Sequence, residues 1–182
     1  MRSVDIPNVR ALHDALLPMK YPTAFFIQLT LLRERVCLVA YHPESPASPI
    51  AFISASLQQD PCVHGLLKSY TLAEDFSDPK VSEDLPHIEI LTLGVFPAYQ
   101  QCGIARLLVR RVYDYFRENL NQTSDMREYT VVHTNVATSN TPALSFYERM
   151  GLRITSGVVR NLYRACPQGS KDGYLLVGRI SS

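Results

Sequence analysis

No apolar run in the sequence approaches the ~18 residues that a membrane-crossing helix requires, so no spanning segment is expected. The opening residues, Met1-Arg2-Ser3-Val4-Asp5-Ile6-Pro7, lack the apolar core of a secretory signal. Four cysteines, Cys37, Cys62, Cys102 and Cys166, form no CxxC pair. In a chain of 182 residues they read as reduced thiols of a cytosolic or nuclear protein, with the cytoplasm as the expected compartment. An excess of one charge is also missing. Eighteen basic residues against 17 acidic ones leave a net charge of +1, which removes the electrostatic basis for a general nucleic-acid binder. P-loop and dinucleotide glycine fingerprints are absent, as is the nucleophile elbow of serine hydrolases. His13, His42, His64 and His87 fall into no HExxH or Cys/His spacing, so no metal site is expected.

What is present is a core. Hydrophobic residues make up 46% of the chain and charged residues 19%, enough to exclude wholesale disorder. Helical spacing of Val9, Leu12, Leu16 and Leu17 predicts a helix over 7–17 that Pro18 ends. A second helix is expected over 22–33. The stretches 35–41 and 49–57 read as a hairpin across a Pro/Ser turn. Residues 58–87 are polar, contain Asp60-Pro61, Asp78-Pro79 and Leu85-Pro86, and read as an insertion loop. Within it Glu74–Asp84 is acidic and reads as a solvated stretch. A buried strand is expected over 88–96 and a helix with Ile104, Leu107, Leu108, Val112 and Phe116 inward. A strand over 128–136, a helix over 140–150 with Asn140 as its cap and Gly151 as its stop, and strands over 152–159 and 174–180 complete one mixed α/β domain spanning 1–182.

The most specific local signal is Gln100-Gln101-Cys102-Gly103-Ile104-Ala105, set between the buried strand and the amphipathic helix. Consecutive N–H groups at a helix start converge on one point, and the helix dipole adds positive potential there. Gly103 lets a phosphate approach, Ala105 keeps the first turn slim, and Arg106, Arg110 and Arg111 add positive charge. The six residues alone also suit an ordinary strand–turn–helix corner.

This Q-x-x-G-x-A pattern, followed by Asn140-Thr141-Pro142-Ala143-Leu144-Ser145-Phe146-Tyr147-Glu148-Arg149-Met150-Gly151-Leu152, resembles the GNAT family of acetyl-CoA-dependent N-acetyltransferases over roughly residues 88–160. The resemblance implies a GNAT fold, a mixed central sheet of about six to seven strands flanked by about four helices. It implies acetyl-CoA as co-substrate and no metal. It also implies that Leu93, Gly94 and Val95 bond the pantetheine, that Gln101, Cys102, Gly103, Ile104, Ala105 and Arg106 cradle the diphosphate, and that Asn140, Ala143, Phe146 and Tyr147 line the thiol end.

Within the family, Leu17-Pro18-Met19-Lys20-Tyr21, Leu91-Thr92-Leu93-Gly94 and Asn161-Leu162-Tyr163-Arg164 are similar to substrate-contacting segments of the NatE-type N-terminal acetyltransferase catalytic subunit. That likeness implies a peptide or nascent-chain N-terminus as substrate, with Leu17, Pro18, Met19, Tyr21, Leu91, Leu162 and Tyr163 around a first methionine. It also raises an auxiliary acetyltransferase subunit or the ribosome as partner; neither a membrane nor a specific nucleic acid is expected. Two departures stand out. Where NatE enzymes carry a tyrosine and a histidine that hold a catalytic water, this chain has Glu89 and Asn135, with His133 on the same strand face as Asn135. Glu89 instead occupies the general-base place of GNAT histone acetyltransferases, and a carboxylate inside Ile88-Glu89-Ile90-Leu91 must face water, a partner or a cleft. Tyr147 is the candidate to protonate or hydrogen-bond the departing CoA thiolate. The family's opening strand has only Ser3–Ile6 to draw on. A lysine or small-amine acetyltransferase, and a catalytically weak acetyl-CoA-binding subunit, remain as alternative readings.

Overall fold

The computed structural model describes residues 1–58, 87–120, 129–163 and 171–181. The insertion expected at 58–87 therefore lies outside the described residues apart from Gln58 and His87, as do Arg164 and Cys166. The elements run α1 (Ile6–Leu16), α2 (Thr23–Leu31), β1 (Arg35–His42), β2 (Ser45–Gln58), β3 (His87–Val95), α3 (Ile104–Leu120), β4 (Tyr129–Ala137), α4 (Thr141–Arg149), β5 (Arg153–Ile154) and β6 (Gly173–Ser181). The six strands form one mixed sheet in the order β1-β2-β3-β4-β6-β5, with β3 and β4 parallel and the other pairs antiparallel. These four helices and six strands make a mixed α/β GNAT fold, as the resemblance implies.

Each face of the sheet has its own apolar layer. On one, Leu108, Val109, Val112, Tyr113 and Phe116 of α3 pack on Ile53, Ile88, Ile90 and Val132 of the strands. Their spacing is the i, i+4 stripe of an amphipathic helix. Leu107 falls off that stripe and is 56% exposed, so the expectation that it points inward is corrected. On the other face Val9 of α1 and Phe26 and Leu29 of α2 cover Cys37 and Leu91.

Three boundaries differ from expectation, each for a local reason. Ser3–Asp5 is a 3-10 turn and not a strand, because the Asp5 carboxylate accepts the Arg2 N–H at 2.7 Å and Pro7 suits the first turn of α1. β2 begins at Ser45, inside the expected turn. Its first residues pair with β1 alone, across two register shifts, and have no β3 partner before Ala51; such an irregular strand end accommodates Pro49. The strand expected over 152–159 pairs only at Arg153–Ile154. Ser156 Oγ then accepts the Leu175 N–H at 2.9 Å, a side chain taking the place of a ladder carbonyl, before Val159 bridges to Gly173. Asn140 does cap α4, accepting the Ala143 N–H at 3.2 Å, and Gly151 ends it at φ +89°.

Candidate active site

The parallel pairing of β3 with β4 lasts three residues: Ile88 opposite Val132, Glu89 opposite His133 and Ile90 opposite Thr134. Beyond it both strands continue unpaired with each other, to Val95 and Ala137. A bulge in β3 begins the divergence. Ala55 lies opposite Ile90 but Ser54 lies opposite Thr92, so Leu91 is the extra residue. Such a residue bends its strand and shifts the alternation of side chains. Ile88 and Ile90 pack under α3, and so do Leu93 and Val95 past the bulge, whereas Thr92 bonds to α1. Thr134 Oγ1 donates to the Ile90 carbonyl at 3.0 Å, the last lateral bond before the strands part.

A cavity of about 450 Å³ occupies the split. Leu17, Pro18, Met19 and Tyr21 wall it from the α1–α2 connection, and Leu91 and Leu93 from β3. Asn135 contributes from β4, Asn140, Ala143 and Tyr147 from the start of α4, and Tyr163 from the segment before β6. Three segments far apart in sequence, each expected to serve the site, thus meet at one hollow. Thr92 of the Leu91–Gly94 segment lines it too, and so do Ile90, Thr134, Val136, Ala137 and Ser139, which the sequence does not single out. Only the place of the bulge and the point where pairing stops reveal them, and neither has a sequence signal here. A larger hollow of about 590 Å³ lies by β1, between Met1–Asp5 and the outer side of α3. It shares no residue with the split, and the chemistry-bearing residues are at the smaller one.

Glu89 and His133 do not line the cavity; nor do Leu162, Gly94, Val95 and Phe146. Glu89 is half-buried, one residue before the lining, and its Oε2 accepts from Gln58 Nε2 at 3.0 Å. His133 is its neighbour across the β3–β4 pair and is buried beside His87, with ring centroids 5.0 Å apart. Burial, aided slightly by His87, lowers His133 to about 4, so the ring is neutral at pH 7. Asn135, two residues on, is exposed to the cavity. Burial pushes the Tyr147 phenol well above its usual range, with the Thr134 hydroxyl beside it, so it keeps its proton. Leu162 packs over Gly173, where an added Cβ would come within 2.6 Å of it.

Past β3, the 101–106 turn has the geometry of an anion cradle. Gln101 and Gly103 have φ of +61° and +79°, and nothing approaches within 4 Å of a Cβ built on Gly103. The Leu107 N–H bonds the Gly103 carbonyl at 3.0 Å, so the N–H groups of Ile104, Ala105 and Arg106 precede the first helical bond. Arg106 and Arg110 are exposed one turn apart, while Arg111 pairs with Asp114 at 4.0 Å. The open space and converging donors fit a diphosphate. Among the described residues no His/Cys/Asp/Glu group could hold a metal ion, and no helix is long and apolar enough to cross a membrane.

Burial also lowers His13 to about 4. Both His13 and His133 are harder to protonate in the folded chain than in the unfolded one, where histidine titrates near ~6.5. The unfolded chain therefore binds more protons below that pH. Stability should fall as pH drops from about 6.5 toward 4, by at most about 1.4 kcal/mol per pH unit for each ring. Urea midpoints at pH 7, 5.5 and 4.5 test this, and a flat series contradicts it.

The three-residue parallel pairing, the bulge and the anion cradle agree with a direct sequence match. The chain belongs to the acetyltransferase (GNAT) family, whose signature matches residues 6–152. The N-alpha-acetyltransferase RimI of Mycobacterium tuberculosis is 37% identical over 76 residues, a match that covers 42% of this chain and 40% of that protein. Arabidopsis thaliana NAA60, solved in complex with acetyl-CoA, superposes with a TM-score of 0.73 at 23% identity, covering 99% of this chain and 96% of that one. Arabidopsis thaliana Naa50, solved with the bisubstrate analogue CoA-Ac-MVNAL, superposes with a TM-score of 0.67 at 19% identity over 99% and 95% of the two chains.

Proposed function

We propose that the chain is an N-terminal acetyltransferase of the NatE type, moving acetyl from acetyl-CoA to the α-amine of a peptide within a ternary complex. The observation that carries this reading is the cavity through the β3–β4 split, walled on the α1–α2 side by Leu17, Pro18, Met19 and Tyr21 and on the α4 side by Ala143 and Tyr147. An amine entering from the first side meets a thioester held on the second. The names of the relatives add support: RimI is an N-alpha-acetyltransferase, and the Naa50 ligand joins CoA to a peptide that begins with methionine.

In this reading the 101–106 N–H groups and Arg106 hold the diphosphate, and the unpaired edge of β3 at Leu93–Val95 holds the pantetheine arm. Bound acetyl-CoA supplies an acyl group on a thiolate leaving group. The amine nitrogen forms the new N–C bond, the C–S bond breaks, and the amine loses one proton. An α-amine with a pKa of ~7.7–8.0 is about a tenth to a sixth neutral at pH 7, whereas a lysine at ~10.4 is neutral in under a thousandth of molecules. A modest base is therefore enough. Glu89 takes the proton through a water held by Asn135 or His133. Backbone N–H groups near Val95 face the developing oxyanion, and the Tyr147 hydroxyl donates a hydrogen bond to the departing sulfur, which takes its proton from solvent. The cytoplasm is the compartment of this reading, with an auxiliary acetyltransferase subunit or the ribosome as the partner that brings nascent chains.

Thioether and leucine side chains suit each other, and rings at Tyr21 and Tyr163 add favourable sulfur contacts. Replacing the first methionine of a substrate peptide by alanine removes about three heavy atoms. At ~0.8 kcal/mol for each, kcat/KM should fall ten- to a hundredfold. Release of free CoA from a panel of peptides that differ in their first two residues measures this. Equal rates for Met-, Ser- and Ala-starting peptides, or activity confined to internal lysines, would overturn the reading in favour of a lysine or small-amine enzyme. No release on any acceptor favours the acetyl-CoA-binding subunit.

A further inference from the structure

His13 is a fully buried polar residue that no step above employs. Its Nδ1 lies 2.9 Å from the Val9 carbonyl, which can only accept, so Nδ1 carries the hydrogen and Nε2 is bare. Nε2 lies 3.1 Å from Thr92 Oγ1, which must therefore donate to it. Thr92 Oγ1 in turn meets Ser54 Oγ, which then donates to Thr92. The result is a directed chain from Ser54 through Thr92 and His13 to Val9, wholly inside the layer between α1 and the sheet. The imidazole is stacked on Phe52 at 3.6 Å between centroids, and the edge of Phe26 meets it at 5.1 Å. Phe52 fills the space over Gly94, where a Cβ would come within 2.6 Å of the ring.

Three buried polar side chains that satisfy one another cost more than an apolar filling of the same volume, unless the arrangement specifies something. What it joins is informative. The Leu17 N–H bonds the His13 carbonyl at 2.8 Å, and the Tyr21 ring meets the imidazole edge-on at 5.9 Å. Leu17 and Tyr21 begin and end the cavity wall contributed by the α1–α2 connection, and Thr92 is the residue just past the β3 bulge. We infer that His13 is a positioning residue for the acceptor side of the cavity, a neutral strut that sets the distance between the Leu17–Tyr21 wall and the β3 bulge. This rests on the proposed function only in taking that side to hold the peptide.

Two substitutions separate its two hydrogen bonds. His13→Asn can still donate to Val9 but falls short of Thr92; His13→Gln can still accept from Thr92 but loses Val9. Thr92→Val removes the shared hydroxyl at nearly constant volume and serves alone if His13→Asn does not fold. The strut predicts that KM for a Met-starting peptide rises about tenfold in His13→Asn and Thr92→Val, no further in the double variant, and recovers most of the way in His13→Gln. KM for acetyl-CoA should change several-fold less than the peptide KM, because the strut ends at Thr92 and does not reach the 101–106 turn that holds the diphosphate. Amide hydrogen exchange should quicken at 14–21 and 91–92 in His13→Asn and not at 104–116. Equal changes in both KM values, an unchanged peptide KM, or exchange that rises everywhere would each overturn the proposal and leave His13 a packing residue. A parent protein that acetylates no peptide would instead overturn the proposed function, while the exchange pattern still decides for or against the strut.

Discussion

Gly103→Asp should abolish the rise in melting temperature that acetyl-CoA produces, while the ligand-free protein melts near the parental temperature. A ligand that binds only the folded chain stabilises it by about 2.7 kcal/mol at a hundredfold excess over Kd. The parent should show a shift of that order. The variant keeps its fold because nothing lies within 4 Å of the new Cβ and because aspartate is among the residues that best tolerate a positive φ, here +79°. It loses the ligand because a carboxylate then sits where the N–H groups of Ile104–Arg106 converge. Two like charges 4 Å apart repel by about 4 kcal/mol at an effective dielectric of 20, near a thousandfold in Kd. Gly103→Ala, which adds backbone strain and no charge, should show a smaller loss. Absence of a shift in the parent at millimolar acetyl-CoA would refute the diphosphate role of the turn, and so would a full shift in Gly103→Asp.

Glu89→Gln should lower kcat/KM for a Met-starting peptide by tens- to a few hundredfold at pH 7. Loss of a general base typically costs ~10²–10⁴-fold, and a partly neutral α-amine softens that toward the low end. The substitution is nearly isosteric, and its amide oxygen can still accept from Gln58 Nε2, which bonds Oε2 at 3.0 Å in the parent. The deficit should shrink as pH rises toward 9 and the amine deprotonates unaided, while the acetyl-CoA melting shift stays parental. His133 is the rival acceptor across the strand pair, but its ring is buried beside His87, whereas Glu89 is half-buried and nearer to water. His133→Asn should accordingly cost less than Glu89→Gln. Parental kcat/KM in Glu89→Gln at pH 7 would make Glu89 a solvated strand residue and pass the proton to His133 or to solvent.

The sequence by itself determined the class of fold and the family, because both are written in local chemistry. The Gln101–Arg106 helix start, the Asn140 cap and Gly151 stop, and the i, i+4 stripe of α3 each depend on a few adjacent residues, and they survive in the structure with boundaries shifted by one or two positions. Where local signals conflicted, the structure resolved them through partners distant in sequence. Leu107 turned outward since only one stripe of α3 can face the sheet, and the strand at 152–159 shrank because Ser156 bonds Leu175. The cavity itself was decided by tertiary structure alone. Its position follows from the place where β3 and β4 cease to pair, which the Leu91 bulge sets through β2, and a one-residue irregularity leaves no mark in hydrophobic pattern. The same holds for His13. In sequence it is a histidine on an apolar helix face; only the packing of α1 on β3 brings it to Thr92, 79 residues away, and makes its second nitrogen an acceptor.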